Sequence, residues 1–255
     1  MTSYAVSADG TRIAYEAEGT AKPLIVIGGA LNDRNSPAAY VPLLQDAFTV
    51  VRYDRRGRGD SDAGTPWAAE REVEDLRALV DACGGEAYLY GHSSGAVLGL
   101  RALAEGLPAL GMVSYEPPFL TGGGEDWQAF AEEQRRLAAS GRPGDAVENF
   151  IRHAGAPWNP QMRQMPFWPA MEALGHTVYY DLTIVGDGSV PTEALAGVAV
   201  PVLSLYGGAS PAWAEASAHA VADALPDARS EAVPGQTHNV AADKVAPILR
   251  EFLLG

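Results

Sequence analysis

The chain has 255 residues, 47% of them hydrophobic and 20% charged, a globular profile that supports one sizeable core rather than two equal domains. A formal net charge of −14 sets it against phosphate backbones and anionic membrane surfaces, so neither nucleic acid nor a membrane is an expected partner. The single Cys83 excludes an internal disulfide, and no Cys and His group has zinc-site spacing. Met1-Thr2-Ser3-Tyr4 lacks the basic start of a secretory signal, and no segment is apolar enough to span a bilayer; a soluble, cytoplasmic protein is expected.

Taken in chain order, the first segment alternates about Asp9-Gly10, with Tyr4 and Val6 before it and Ile13 and Tyr15 after it, which predicts an antiparallel hairpin at a sheet edge. Short apolar runs then predict buried strands at Leu24–Ile27, Phe48–Tyr53, Tyr88–Tyr90, Met112–Tyr115 and Val200–Tyr206. Between them, Glu70–Ala82 places Val73, Leu76, Leu79 and Val80 on one helical face, and Ala96–Ala104 reads as a small-residue helix. Cys83, before Gly84-Gly85 at that first helix's end, is expected to be a bland, buried thiol. Such alternation implies an α/β protein with a largely parallel sheet covered on both faces, whose chemistry gathers at the carboxyl ends of the strands.

From about Leu120 to Gly197 the pattern changes to helical candidates at Asp126–Ala139, Asp145–His153, Asn159–Gln164 and Pro169–Leu174, separated by Gly and Pro. We read a helical cap, 120–197, inserted into a core formed by 1–119 and 198–255. Trp127, Phe130, Trp158, Met162, Met165, Phe167 and Trp168 make it rich in large side chains for packing or for an apolar pocket.

Tyr88-Leu89-Tyr90 runs into Gly91-His92-Ser93-Ser94-Gly95 and then into the small-residue helix, giving strand, G-x-S-x-G, helix. A turn sharp enough to project a serine above a sheet edge needs small residues two before and two after it, and Ser93 is so flanked. The Ser94 N–H, at the helix start, is then free to stabilise an oxyanion.

At this point the sequence resembles the α/β-hydrolase superfamily over nearly its whole length. Leu24-Ile25-Val26-Ile27-Gly28-Gly29-Ala30-Leu31 matches the strand and loop where that family usually has His-Gly-x, with Gly28 in place of the His, and Arg52 to Ser61 matches its D-x-R-G-x-G-x-S turn. The resemblance implies the α/β-hydrolase fold, a mostly parallel eight-stranded sheet with an inserted helical cap. It implies the Ala30 N–H as second oxyanion donor and a catalytic histidine in Val233-Pro234-Gly235-Gln236-Thr237-His238-Asn239. His238 suits the task, since a serine needs a neighbouring base that returns its proton to the leaving group. Gly29, Leu31, His92, Trp158 and Trp168 are the candidate substrate-binding residues, although the His92 ring, inside the elbow, is expected to point away from the pocket. His153, His176 and His219 read as surface or packing residues, with His176 placed to touch substrate if it serves the pocket.

The third member departs from the pattern. The loop that usually carries an Asp is Gly207-Gly208-Ala209-Ser210-Pro211, where Ser210 replaces the carboxylate. Some superfamily members hold their acid one strand earlier, which makes Glu116, fixed by Pro117-Pro118, the leading candidate, ahead of a site with no true acid and of another acid such as Asp181, Asp187 or Asp33. The expected function is a serine hydrolase, cleaving a small, fairly apolar carboxylic ester or lactone through an acyl-enzyme without cofactor or metal. The alternatives are a lyase, a carbon–carbon bond hydrolase or a biosynthetic cyclase that uses His238 as base, and a catalytically dead binding protein.

Overall fold

The computed structural model describes the backbone of residues 1–119 and 125–255, and the side chains of all of these except 125 and 126. Strand β1 (Ser3–Val6) pairs antiparallel with β2 (Arg12–Glu18) across the Asp9-Gly10 turn, where Gly10 takes a φ of 86°. Next come β3 (Pro23–Ile27), α1 (Val41–Leu44), β4 (Thr49–Tyr53), α2 (Ala69–Ala82), β5 (Ala87–His92), α3 (Ser94–Ala104) and β6 (Ala109–Tyr115). Helices α4 (Glu125–Ala139), α5 (Pro143–His153), α6 (Trp168–Leu174), α7 (Val178–Val185) and α8 (Thr192–Leu195) follow, and the chain closes with β7 (Val202–Gly207), α9 (Ala212–Ala224), β8 (Ala228–Val233) and α10 (Ala242–Leu254).

The eight strands form one sheet in the order β1-β2-β4-β3-β5-β6-β7-β8. Among the described residues only the β1–β2 and β2–β4 pairs are antiparallel, so β4, β3, β5, β6, β7 and β8 form the expected parallel block, with β1 as its edge hairpin's outer strand. Period-two alternation divides the sheet between two cores: Ile25, Ile27, Val51, Leu89 and Met112 face α2 and α3, while Leu24, Val26, Val50, Tyr90, Val113, Leu203 and Leu205 face α1 and α10. Each such side chain contributes about 1.5–3 kcal/mol on burial. Helix α3 lies close on the sheet because Gly99 has no side chain; a Cβ there would stand 2.6 Å from the Met112 methyl.

Between β6 and β7 the residues described from 125 on are largely helical and differ in detail from the expected elements. Residues Pro160–Gln164 form a 3-10 turn rather than an α-helix, started by the Asn159 side chain accepting from the Gln161 N–H at 2.9 Å. Helices α7 and α8 were not predicted. Val178-Tyr179-Tyr180-Asp181-Leu182-Thr183-Ile184-Val185 is rich in β-branched and aromatic residues that favour strands locally, and the burial of Val178, Leu182, Ile184 and Val185 overrides that preference. The expected start of the cap, at 120, lies outside the described residues. Among the described residues no helix is long and apolar enough to cross a membrane.

Candidate active site

Three non-glycine residues among those described have positive φ: Leu31 (58°), Ser93 (57°) and Glu116 (44°). They follow β3, β5 and β6, three neighbouring parallel strands, at their carboxyl ends. Each such conformation costs of order 1–3 kcal/mol and persists only where the surroundings impose it. At Ser93 they do. Its N–H donates to the Tyr115 carbonyl at 2.9 Å, and its own carbonyl accepts from Ala96 at 2.9 Å. A Cβ at Gly91 would lie 2.6 Å from Ala96 Cα, and one at Gly95 only 2.2 Å from the Ile27 carbonyl oxygen, so both flanking positions require glycine.

Glu116 is fully buried. Its Oε2 accepts from His238 Nδ1 at 2.7 Å; a carboxylate can only accept, which places the proton on Nδ1 and leaves Nε2 as the basic nitrogen. Its Oε1 accepts from the Gly207 N–H at 2.8 Å and from the Ser210 hydroxyl. Burial pushes this carboxyl up, but the His238, Ser210 and Gly207 bonds outweigh it and hold Glu116 below the ordinary carboxylate range. Ser210, in the loop after β7, thus donates to a carboxylate that follows the neighbouring strand β6. Asp181 instead accepts from Arg55 and Arg58, Asp187 binds its own turn at Ser189, and Asp33 binds Asn35 and Ser36, so none of these three contacts His238.

The loop carrying His238 is tied down on both sides. Tyr115 Oη donates to the Thr237 carbonyl at 2.7 Å, and His92 Nε2 lies 2.8 Å from the His238 carbonyl, to which it can only donate. His92 was expected among the substrate-binding residues; its ring instead stacks on Tyr115, 5.7 Å between centroids, and serves the histidine loop. Burial and the nearby His238 push His92 down to about 4 from its ordinary 6.5. The unfolded chain therefore takes up this proton first as pH falls, so the stability contributed by neutral His92 is complete above about 6.5 and is lost progressively towards 4. The expected result is a melting temperature that declines from about pH 6.5 to about pH 4, with a shallower decline in His92→Gln, whose amide can still donate to the His238 carbonyl. Parallel declines in the two proteins would assign the proton to another group.

The loop after β3 faces Ser93. A Cβ on Gly29 would stand 2.9 Å from Ser93 Cβ, so glycine is what allows this backbone to approach Ser93. No backbone hydrogen bond among the described residues uses the Ala30 or Ser94 N–H. Asn32 Nδ2 donates to the Ala30 carbonyl at 3.1 Å, and Arg58 Nη1 to the Gly29 carbonyl at 2.7 Å. Leu31 packs, with Trp158, Met162 and Met171, against a small cluster of Val147, Ile151 and Trp168. Trp168 is only 4% exposed and is held in the helical segment's own packing, while Trp158 stays half-buried, its ring 5.6 Å from that of Trp168. His176, offered as a substrate contact, bonds the Gly57 carbonyl at 3.0 Å and ties the helical segment to the D-x-R-G-x-G-x-S turn. Trp213 was missed: it opens α9 just past Ser210-Pro211, and its ring lies 6.0 Å from that of His238. Among the described residues no group of His, Cys, Asp and Glu has metal-binding geometry.

A parallel sheet with a serine elbow after its fifth strand, and a carboxylate–histidine pair at the adjoining strand ends, is an α/β-hydrolase arrangement. The model of the alpha/beta hydrolase family matches residues 28–248, and the chain belongs to that family. It is 44% identical to an alpha/beta hydrolase from Sphaerobacter thermophilus, over 98% of this chain and 99% of that one, with a TM-score of 0.88. It shares the fold of a thermophilic esterase from Thermogutta terrifontis (22% identity, 100% and 98% covered, TM-score 0.79) and of an enol-lactonase from Burkholderia xenovorans (21%, 99% and 100%, 0.79). A curated relative, the Uncharacterized hydrolase YraK of Bacillus subtilis, is 32% identical over 95 residues, 36% of this chain and 35% of that protein; the match thus spans about a third of the relative's length.

Proposed function

We propose that this protein is a serine hydrolase that cleaves small, fairly apolar carboxylic esters or lactones through an acyl-enzyme. In this reading Ser93 Oγ attacks the carbonyl carbon while His238 Nε2 takes its proton, and the carbonyl π electrons become an oxyanion held by the Ala30 and Ser94 N–H groups. Collapse of that intermediate expels the alkoxide, which leaves with the proton from His238; water then repeats the sequence on the acyl-enzyme. Glu116 fixes the imidazole tautomer and stabilises the imidazolium. The segment 120–197 acts as the cap, and Leu31 with Trp158 gives the acyl side an apolar wall.

The observation that carries the reading is the 2.7 Å bond between His238 Nδ1 and fully buried Glu116, which follows the strand paired with the one that leads into the serine elbow. It gives the base a defined tautomer, from the strand end that adjoins the serine elbow. The test is to treat the protein with a fluorophosphonate and, separately, with p-nitrophenyl acetate. A phosphonyl adduct mapped to the peptide bearing Ser93, with a burst of about one p-nitrophenolate per site, is the expected result. A folded protein that takes up no phosphonate and shows no burst would instead be a lyase, cyclase or binding protein that uses His238 without an acyl-enzyme.

A further inference from the structure

Beneath the site lies a charge network that the proposed reaction does not itself use. Asp181, on α7, is 2% exposed and sits 123 residues from Arg58 in sequence. Arg58 Nη2 donates to both of its oxygens at 2.9 Å, Arg55 Nη1 donates to Oδ1 at 2.6 Å, and the Ser94 hydroxyl donates to Oδ1 at 2.7 Å. Arg55 also forms a fork with Glu72, at 2.5 and 3.0 Å. Two guanidiniums and two carboxylates therefore balance, as burial demands.

The other nitrogen of Arg58 turns to the catalytic side, where Nη1 donates to the Gly29 carbonyl at 2.7 Å. That carbonyl and the Ala30 N–H belong to one trans peptide, a rigid plane in which C=O and N–H point in opposite directions. Fixing the oxygen aims the N–H. A cationic donor on the oxygen also polarises the amide and makes its N–H a stronger donor. Asp181 reaches the second arm as well, because Ser94 supplies the other N–H and its hydroxyl is bonded to the same carboxylate.

We infer that Asp181 and Arg58 are a positioning pair for the oxyanion hole, through which a single side chain of α7 holds both donor arms, Gly29–Ala30 and Ser94, in register. The inference rests on the serine-hydrolase reading above. It makes the helical segment a working part of the transition-state site: displacing α7 loosens the oxyanion donors without touching Ser93, His238 or Glu116.

The pair is tested with two ketones of equal chain length, a methyl ketone that binds as a ground state and a trifluoromethyl ketone. In the second, Ser93 Oγ bonds to the carbonyl carbon, its proton passes to His238 and the π electrons become an oxyanion. Wild type, Asp181→Asn, and the charge-neutral double variant Arg58→Met/Asp181→Asn are compared, with active sites counted by fluorophosphonate. Asp75→Asn is the matched control, since buried Asp75 forks onto Arg56 at 2.6 and 2.7 Å, in the same turn but away from the donor arms. In Asp181→Asn we expect kcat to fall about 30-fold and the trifluoromethyl ketone to weaken by a similar factor, while KM and methyl ketone affinity change less than about 3-fold. The double variant follows it and carries the test if Asp181→Asn is insoluble; Asp75→Asn loses thermal stability and keeps both the turnover per site and the ketone ratio. Unchanged turnover in the soluble Asp181 variant, or equal weakening of both ketones, overturns the inference and leaves the network a fold-holding device. A wild type that reacts with neither fluorophosphonate nor trifluoromethyl ketone removes the serine-hydrolase reading itself, and the inference with it.

Discussion

Glu116→Gln is expected to lower kcat on an activated ester by about 10³–10⁴-fold, with KM little changed. The substitution is nearly isosteric, so the packing around β6 survives, but an amide has one acceptor where the carboxylate has two. In wild type one oxygen accepts from Gly207 N–H and Ser210 while the other accepts from His238. If the Gln oxygen stays with Gly207 and Ser210, its NH₂ faces Nδ1 and selects the tautomer whose proton sits on Nε2, where the serine needs a base. If the amide turns over, it donates against the Gly207 N–H in a buried site, which costs about 1–3 kcal/mol. Either arrangement also removes the charge that stabilises the imidazolium. Ser210→Ala is the contrast, because its hydroxyl touches only the oxygen remote from His238, and a loss of about tenfold or less is expected. Titrated steady-state kinetics decide the matter: a Glu116→Gln enzyme within tenfold of wild type would move the acid elsewhere.

Why Glu116 was legible and the Asp181 network was not is a matter of how far each signal reaches along the chain. A strand run ending in Glu-Pro-Pro, next to an elbow, is local, and the absence of an Asp at Ser210 points to the neighbouring strand. Adjacent parallel strands made the geometry follow, since β5 pairs β6 and β6 pairs β7. Arg55 and Arg58, by contrast, belong to a recognisable turn whose partners lie on a helix that local propensity did not reveal, more than 120 residues on. Glu72 and Asp75 were hidden differently: they lie on a helix recognised by its apolar face alone, and both are buried because the arginines of the turn lie over them. The cap tryptophans show a third limit. Trp158 and Trp168 have the same composition signal, and only the tertiary packing puts Trp168 inside the cluster while leaving Trp158 half-buried.

The second large effect is expected at a residue with no side chain. Gly29→Ala should reduce kcat by about 10²-fold, the order seen when an oxyanion donor is lost, while moving the melting temperature by only a few degrees. The added methyl would meet Ser93 Cβ at 2.9 Å and the His92 carbonyl oxygen at 3.0 Å. Neither neighbour can retreat, because His92 ends a central strand and Ser93 is pinned by Tyr115 and Ala96. The loop must move instead, and with it the Ala30 N–H, whose useful range is a few tenths of an ångström about the oxyanion. Gly84→Ala provides the comparison: at φ 108° it is strained, yet its Cβ would meet nothing within 4 Å, so it should cost stability and leave kcat alone. The ratio of the two effects separates backbone strain from displacement of the donor. If Gly29→Ala turned over at the wild-type rate, the Ala30 N–H would not be the second donor, and the oxyanion would have to rest on Ser94 and a group outside this loop.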